Sequence, residues 1–188
     1  MDAFPDPGRY LIGLDPGRRG ALAWVGFDEK LIKTWRLPRK FDRHGLQAII
    51  DEIGKARGRP DCIVIEHQQT FGVQATFANS DTRLMLYGQI LGALKVCNWR
   101  VVAVRPQTWQ AHYKLAAGMP KASRDAPREE RTRIREERHR LLKQRAIRMA
   151  RSIFSGREEW SDAEADAALI GLYGIHVLKA VAAQSRAG

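Results

Sequence analysis

The sequence predicts an α/β fold with a mixed five-stranded sheet flanked by helices. Three observations support this prediction. Short apolar runs separated by tight turns fill the N-terminal part of the chain. Segments with helical spacing of apolar residues then alternate with two further apolar runs, and long helical stretches complete the chain. Strands that alternate with helices are typical of α/β proteins, in which helices cover the faces of the sheet.

The first three strands are predicted at residues 10–14, 21–27 and 31–37, where apolar residues predominate or alternate with polar ones. Gly17 and Gly20 mark the first turn between them. Because the connections are short, we expect these strands to form an antiparallel meander.

The rest of the chain changes period. Residues 46–53 follow helical spacing, 62–65 form a continuous apolar strand, and 68–80 are polar and aromatic, as in a loop. Further elements are predicted as a helix at 82–96, a strand at 100–104 and helices at 127–153 and 161–183. We expect one domain over residues 1–188, with a flexible loop at 116–130.

The composition points towards nucleic acid. The chain has 188 residues and a formal net charge of +11, so its surface must be strongly basic. An anionic membrane surface is the second kind of partner to consider, but no apolar run is long enough to predict a membrane span. Cys62 and Cys97 have the surroundings of small buried residues, which suits a reducing cytoplasm.

Two carboxylates follow predicted buried strands. Asp15 ends the first strand and Glu66 ends the strand at 62–65. Asp15 also begins an Asp-Pro-Gly sequence, so a simple turn is an alternative interpretation. Because strand ends of an open α/β sheet converge on the ligand crevice, two such acids together favour a functional site.

The last predicted helix supplies more carboxylates. Ser161 and Glu164 have the spacing of a capping box. Asp162 and Asp166 are four residues apart and therefore share one helix face, where their charges repel unless a cation lies between them. The alternative is that acids near a helix N-terminus complement the helix dipole. Neighbouring alanines would let this helix approach a sheet closely.

These four carboxylates predict a site for a hard divalent cation. Mg²⁺ prefers oxygen ligands and keeps several waters, so a few carboxylates and a substrate phosphate suffice. Mn²⁺ fits the same ligands. An acidic cation site inside a basic protein is the combination that phosphodiester hydrolysis requires.

Four segments resemble, in order, the motifs of RuvC-type Holliday junction resolvases of the RNase H-like superfamily, closest to phage-type and organellar members. The segments are Ile-Gly-Leu-Asp-Pro-Gly at 12–17, Val-Ile-Glu-His-Gln at 64–68, Val-Arg-Pro-Gln-Thr-Trp at 104–109 and Ser-Asp-Ala-Glu-Ala-Asp-Ala-Ala-Leu-Ile at 161–170. The resemblance implies an RNase H-like fold and a homodimer that cleaves four-way DNA junctions in the cytoplasm. Nucleoid-associated, phage and organellar settings all remain open.

The resemblance also assigns roles to residues. Asp15, Glu66, Asp162 and Asp166 would be the catalytic, metal-binding acids, and helix 82–96 would form the dimer contact. The family often spaces its last two acids three apart, but position 163 is Ala, so Glu164 is a reserve candidate. The family lysine after Trp109 is replaced by Gln110, and Lys114 is the candidate for its role.

The predicted DNA contacts are basic and aromatic. Arginines pair with phosphates through two hydrogen bonds, although part of this charged stretch is expected to be a solvated helix face. Exposed aromatics could stack on unpaired bases, and packing beneath the loop is the alternative for them. Trp109 is interpreted as a core residue, and His67 is given no catalytic role. The DNA-binding candidates are Lys114, Lys121, Arg124, Arg128, Phe71 and Phe77.

Other functions share some of these features. A different RNase H-like nuclease, acting on flaps or RNA–DNA hybrids, would use the same acids. A branched-DNA-binding protein without catalysis could retain the fold. An ATP-binding domain of the actin and sugar-kinase class shares the strand meander but normally needs two such domains. A basic interaction module would need none of the acids.

Overall fold

The computed structural model describes residues 9–17, 19–38, 43–55, 59–68, 77–123 and 125–187, with the backbone alone at 43, 77–83 and 187. The strands are β1 Tyr10–Asp15, β2 Ala21–Gly26, β3 Leu31–Arg36, β4 Cys62–Glu66 and β5 Val101–Val104. The helices are α1 Arg43–Gly54, α2 Phe77–Val96, α3 Pro106–His112, α4 Arg128–Ile153 and α5 Asp162–Ala187.

The strands form one mixed sheet in the order β3-β2-β1-β4-β5. β1, β2 and β3 pair antiparallel, which confirms the predicted meander. β4 joins β1 in parallel and β5 joins β4 in parallel, because helices α1 and α2 provide the crossover connections. β1 therefore lies at the centre of the sheet, and its residues from Tyr10 to Leu14 are buried.

Alternation of side chains divides the core into two layers. Leu11 of β1 and Val64 of β4 belong to the layer beneath α5, together with the α4 side chain Ala150. Ile12 and Ile63 belong to the opposite layer, beneath α1 and α2. Asp15 and Glu66 continue the alternation of the first layer, so the strand period directs both towards α5.

α5 approaches β1 with almost no side chain between their backbones. A Cβ built on Gly13 would lie 2.0 Å from the Ala167 carbonyl oxygen, and one on Gly171 would lie 3.1 Å from the Gly13 nitrogen. Ala167 and Ala168 are fully buried at this contact. The alanine-rich sequence at the start of the helix thus allows the close packing that was expected from it.

Two helices and one loop differ from the sequence prediction. α2 begins at Phe77, so part of the predicted loop 68–80 is helical. α3 was not predicted, although Pro106 at its start is a recognised helix-start signal. α4 covers Arg128–Ile153 and agrees with the helix predicted at 127–153, so the predicted loop 116–130 ends at most at residue 127; Arg138 of α4 donates to the Pro120 carbonyl in that loop.

α5 corrects another expectation. Its length and composition meet the criterion for a membrane-crossing helix, which was not anticipated from the sequence. Half of the apolar window is buried inside the protein, where α5 packs on β1 and β2. A core helix meets the same criterion, and its burial here is explained by that packing. Cys62 and Cys97 are both free; Cys62 is buried as expected, whereas Cys97, just after the end of α2, is only half-buried.

We predict that Gly13→Ala lowers the free energy of unfolding by roughly 2–4 kcal/mol, because the new methyl group would force α5 away from β1. Chemical denaturation measures this. Gly54→Ala is the control, since a Cβ there meets nothing within 4 Å among the described atoms. Equal stability of the two variants would contradict the proposed close contact.

Candidate active site

Two of the predicted acids lie side by side at the ends of neighbouring strands. The parallel register pairs Leu14 with Ile65, so Asp15 and Glu66 follow at adjacent strand ends. Asp15 Oδ1 accepts a hydrogen bond from the Gly17 N–H at 2.9 Å. The Asp-Pro-Gly sequence is therefore a turn as well as part of the site, and the two interpretations of Asp15 are compatible.

The start of α5 brings the other two acids to the same place. The predicted capping box is confirmed: the Glu164 N–H donates to Ser161 Oγ, and the Ser161 N–H donates to Glu164 Oε2. This cap fixes the first turn of the helix beside the sheet. Asp162 and Asp166 then face the ends of β1 and β4, one helical turn apart.

All four predicted acids line one open cavity of about 600 Å³. Its walls come from the first turn of the sheet, the end of β4, the middle of α4 and the start of α5. The lining residues are Asp15, Gly17, Arg19, Glu66, Gln68, His139, Lys143, Asp162, Ala163 and Asp166.

Burial and mutual repulsion disfavour the charged forms of two of these acids. Burial, and then the nearby Asp15 charge, raises the pKa of Glu66 to about 7, although hydrogen bonds from Trp109 and Gln68 oppose the rise. Burial, followed by repulsion from Asp15, Glu66 and Asp162, also raises the pKa of Asp166 well above its usual range. A cation in the cavity would relieve both effects.

Asp162 differs from the other acids because it has a cationic partner. The Lys143 ammonium on α4 forms an ion pair with Asp162 Oδ2. Burial opposes ionisation of Asp162, but the hydrogen bond and charge of Lys143 outweigh it and lower the net pKa. The Asp162 side chain remains 39% exposed, so it is accessible from the cavity.

The sequence analysis missed Lys143 and His139 as site residues. Both line the carboxylate cavity from α4, and they are four residues apart on one helix face. Both residues lie within a run of basic residues on α4, and sequence spacing alone does not indicate which side chains of that run face the site. Lys114, the expected basic residue, lines a different concavity beside Arg145 and Arg148.

The ligand chemistry of the cavity fits a hard divalent cation. Carboxylate oxygens from Asp15, Glu66 and Asp166 face one space, and burial followed by repulsion between these acids raises the pKa values of Glu66 and Asp166. Within the described residues, no three Asp, Glu, His or Cys side chains already form a closed metal-binding cluster. An open arrangement leaves room for water and for a phosphate oxygen as further ligands.

Glu164, the reserve candidate, has a structural role instead. It is buried and accepts hydrogen bonds from Ser161, Thr34 and the guanidinium groups of Arg36 and Arg157. It does not line the carboxylate cavity. Its contacts with Thr34 and Arg36 connect α5 to β3. Both carboxylate oxygens of Glu164 already accept hydrogen bonds from these and other partners.

The DNA-binding candidates are only partly described. Lys114, Lys121 and Arg128 are exposed, and Lys114 lies in a turn with a positive φ of 54°. Phe71 and Arg124 lie outside the described residues, and Phe77 is described only as the first residue of α2. Their DNA contacts stay predictions.

Trp109 was expected in the core, and it is 1% exposed. Its indole Nε1 also donates a 2.8 Å hydrogen bond to Glu66 Oε2. His67 faces the opposite side of the sheet, as the strand period predicts, and its ring meets Tyr87 edge-on.

Solved structures resemble this arrangement of strands and helices. RuvC of Thermus thermophilus bound to a Holliday junction substrate has a TM-score of 0.57 and 19% identity, over 92% of this chain and 94% of that one. A second T. thermophilus RuvC structure has a TM-score of 0.55 and 18% identity, over 91% of this chain and 96% of that one. The yeast mitochondrial Holliday junction resolvase Ydc2 has a TM-score of 0.48 and 14% identity, over 90% of this chain and 78% of that one.

The chain has an RNase H-like fold. The two RuvC structures match over nearly the full length, and the mixed sheet with its antiparallel meander agrees with them. No protein-family model and no curated protein sequence matches the chain. Within this RNase H-like fold, the carboxylate cavity lies where the ends of β1 and β4 meet α5.

We predict that Glu164→Gln destabilises the protein by roughly 2–4 kcal/mol at neutral pH, because it removes the buried charge to which Arg36, Arg157 and Ser161 donate hydrogen bonds. Hydrogen bonds from Ser161 and Arg157 outweigh burial and lower the pKa of Glu164 from 4.5 to about 2. Its contribution is therefore present above about pH 4.5 and is lost as pH falls towards 2.

Denaturation of both proteins across this pH range measures the effect. The stability difference between wild type and Glu164→Gln should shrink below about pH 4.5. Glu158→Gln, at an exposed residue before α5, is the matched control. A difference that stayed constant down to pH 2 would show that the carboxylate charge is not what stabilises this region.

Proposed function

We propose that this protein is a divalent-metal-dependent endonuclease that resolves four-way DNA junctions. One observation carries the proposal: the carboxylates Asp15, Glu66, Asp162 and Asp166 share one open cavity beside a strongly basic helix. The RNase H-like fold and the ordered motif resemblance support the reaction class. The junction substrate is supported by the T. thermophilus RuvC structure, which contains a Holliday junction substrate.

The cavity residues would divide the chemical work. Asp15, Glu66 and Asp166 would hold Mg²⁺ or Mn²⁺, with Asp162 as the fourth carboxylate. A bound cation of this kind supplies an activated water and stabilises charge on the phosphate. Lys143, held at the cavity by Asp162, would contact a phosphate oxygen of the substrate, and His139 lies one turn away on the same wall.

Helix α4 would bind the DNA backbone near this cavity. Its exposed arginines outnumber its glutamates, and their guanidinium groups suit bidentate contacts with phosphates. Two others, Arg138 and Arg145, are already bound to carbonyls of the preceding loop. The exposed arginines of α4 are Arg128, Arg131, Arg133, Arg135, Arg140, Arg148 and Arg151.

We also propose that the protein acts as a homodimer through α2. Met85 is 60% exposed and Val96 is 87% exposed on this helix. A Cβ built on Gly88 or Gly92 meets no described atom within 4 Å, so these glycines have no close neighbour within the described part of the chain. An exposed apolar stripe with small residues suits contact with the same helix of a second copy.

The function is tested with a strand-cleavage assay on a synthetic four-way junction, a matched linear duplex, a flap and an RNA–DNA hybrid. We expect paired, symmetric cuts on the junction alone, lost when EDTA removes the metal. Cleavage of the flap or hybrid would indicate a different RNase H-like nuclease. Junction binding with no cleavage of any substrate would indicate a non-catalytic junction-binding protein.

We predict that Asp15→Asn abolishes junction cleavage and leaves junction binding nearly unchanged. The substitution removes a metal-ligand charge but leaves the basic surface of α4 intact. The loss should exceed the roughly 10–100-fold that removal of an outer-shell partner costs. Cleavage rate and gel-shift affinity, measured on the same junction, separate the two effects.

Asp51→Asn, at an exposed position on α1, is the control for this substitution. It should cleave like the wild type. Wild-type cleavage by Asp15→Asn would rule out the proposed site, whereas a parallel loss of binding would indicate that Asp15 acts in DNA binding instead.

We predict that Met85→Asp converts the dimer to a monomer, because it places a charge in the apolar stripe of α2. Sedimentation velocity measures the oligomeric state. Val181→Asp is the matched control, since Val181 is 53% exposed on α5, outside this stripe. A monomeric wild type, or a Met85→Asp variant that stays dimeric, would contradict the α2 interface.

A further inference from the structure

Trp109 is a core residue with one polar atom aimed at the site. The side chain is 1% exposed and packs in the layer beneath α5. Its Nε1–H donates to Glu66 Oε2 at 2.8 Å, across 43 positions in sequence. Pro106 starts α3 directly after β5, so this short helix places Trp109 beside the end of β4.

The hydrogen bond distinguishes the two oxygens of Glu66. Oε2 is held by the indole, whereas among the described residues Oε1 accepts only a long, 3.4 Å hydrogen bond from the Gln68 amide. A buried indole N–H needs an acceptor, and its ring is locked in place by the surrounding core. The short hydrogen bond from this fixed ring therefore orients the carboxylate more firmly than the long contact from the half-buried Gln68 side chain can.

Trp109 lines a second, smaller space of about 210 Å³, together with Glu66 and Asp166. Glu66 and Asp166 also line the main cavity. Trp109 lines only the smaller space, so it reaches Glu66 without lining the main cavity, where a cation would lie.

We propose that Trp109 is a positioning residue that orients the Glu66 carboxylate for divalent-cation binding, with Oε1 as the oxygen left available to the cation. This inference rests on the proposed metal site but not on the identity of the DNA substrate. Trp109 itself touches neither cation nor DNA in this role. It acts through the geometry of Glu66, as outer-shell partners of metal ligands commonly do.

The test is a titration of the DNA-free protein with Mn²⁺. Electron paramagnetic resonance measures the concentration of free Mn²⁺ at each step. Trp109→Phe keeps an aromatic ring and removes the N–H donor. We expect its Mn²⁺ dissociation constant to rise on the order of 10-fold. Trp24→Phe is the matched control, because Trp24 is fully buried in the opposite core layer, and its Mn²⁺ affinity should equal that of the wild type.

A second substitution guards against a folding defect. Replacing Trp109 with 3-benzothienylalanine preserves the bicyclic shape and exchanges the N–H for sulfur. It should weaken Mn²⁺ binding as Trp109→Phe does, with near-wild-type thermal stability. Wild-type Mn²⁺ affinity in this isosteric variant would overturn the proposal.

A double substitution tests whether Trp109 acts through Glu66. In a Glu66→Ala background, Trp109→Phe should cause no further loss of Mn²⁺ affinity, because no carboxylate remains to be oriented. An additional 10-fold loss in that background would overturn the proposed route through Glu66. If the wild type binds Mn²⁺ in this Trp109-dependent way but cuts no junction, the junction-resolvase function fails while this inference stands.

Discussion

The contact between the backbones of α5 and β1 is the constraint on which the site depends. Gly13 and Gly171 face each other there, and the Ala167 carbonyl occupies the space that a Gly13 side chain would need. Because the helix lies this close to the central strand, its first turn reaches the ends of β1 and β4. A separation larger by one methyl group would move Asp162 and Asp166 away from Asp15 and Glu66. The core packing between α5 and β1 therefore also sets the geometry of the candidate site.

The site concentrates negative charge in a protein with a formal net charge of +11. Burial and repulsion disfavour ionisation of Glu66 and Asp166, whereas Lys143 stabilises the charge of Asp162. The protein thus compensates the charge of Asp162 itself, and in our proposal a cation would compensate the charges of the other acids. Glu164 lies on the same helix and accepts hydrogen bonds from Ser161 and Arg157. Its ion pair with Arg36 connects α5 to β3. Acids within a single turn of α5 therefore differ in role: Asp162 lines the carboxylate cavity, whereas Glu164 stabilises the helix.

Much of the fold was predictable because its signals are local. The strand meander, the strand at β4, the helices α4 and α5 and the Ser161–Glu164 cap follow from apolar periodicity and capping chemistry. The start of α2 and the short helix α3 were missed, because a polar start and a seven-residue length give weak periodicity. Lys114 was chosen by its position after Trp109, but its turn directs it towards Arg145 and Arg148 instead of the acids.

The sequence by itself determined which side chains could form the site. One carboxylate follows each of two buried strands, and two more lie at i and i+4 on a helix rich in alanine. These patterns involve neighbouring positions, so they can be recognised without coordinates. Only the tertiary structure decided which basic residues join them and how Glu66 is held. Lys143 meets Asp162 across 19 positions, and Trp109 meets Glu66 across 43. Such pairs depend on how α3 and α4 dock on the sheet, and docking is set by long-range packing that no local pattern encodes.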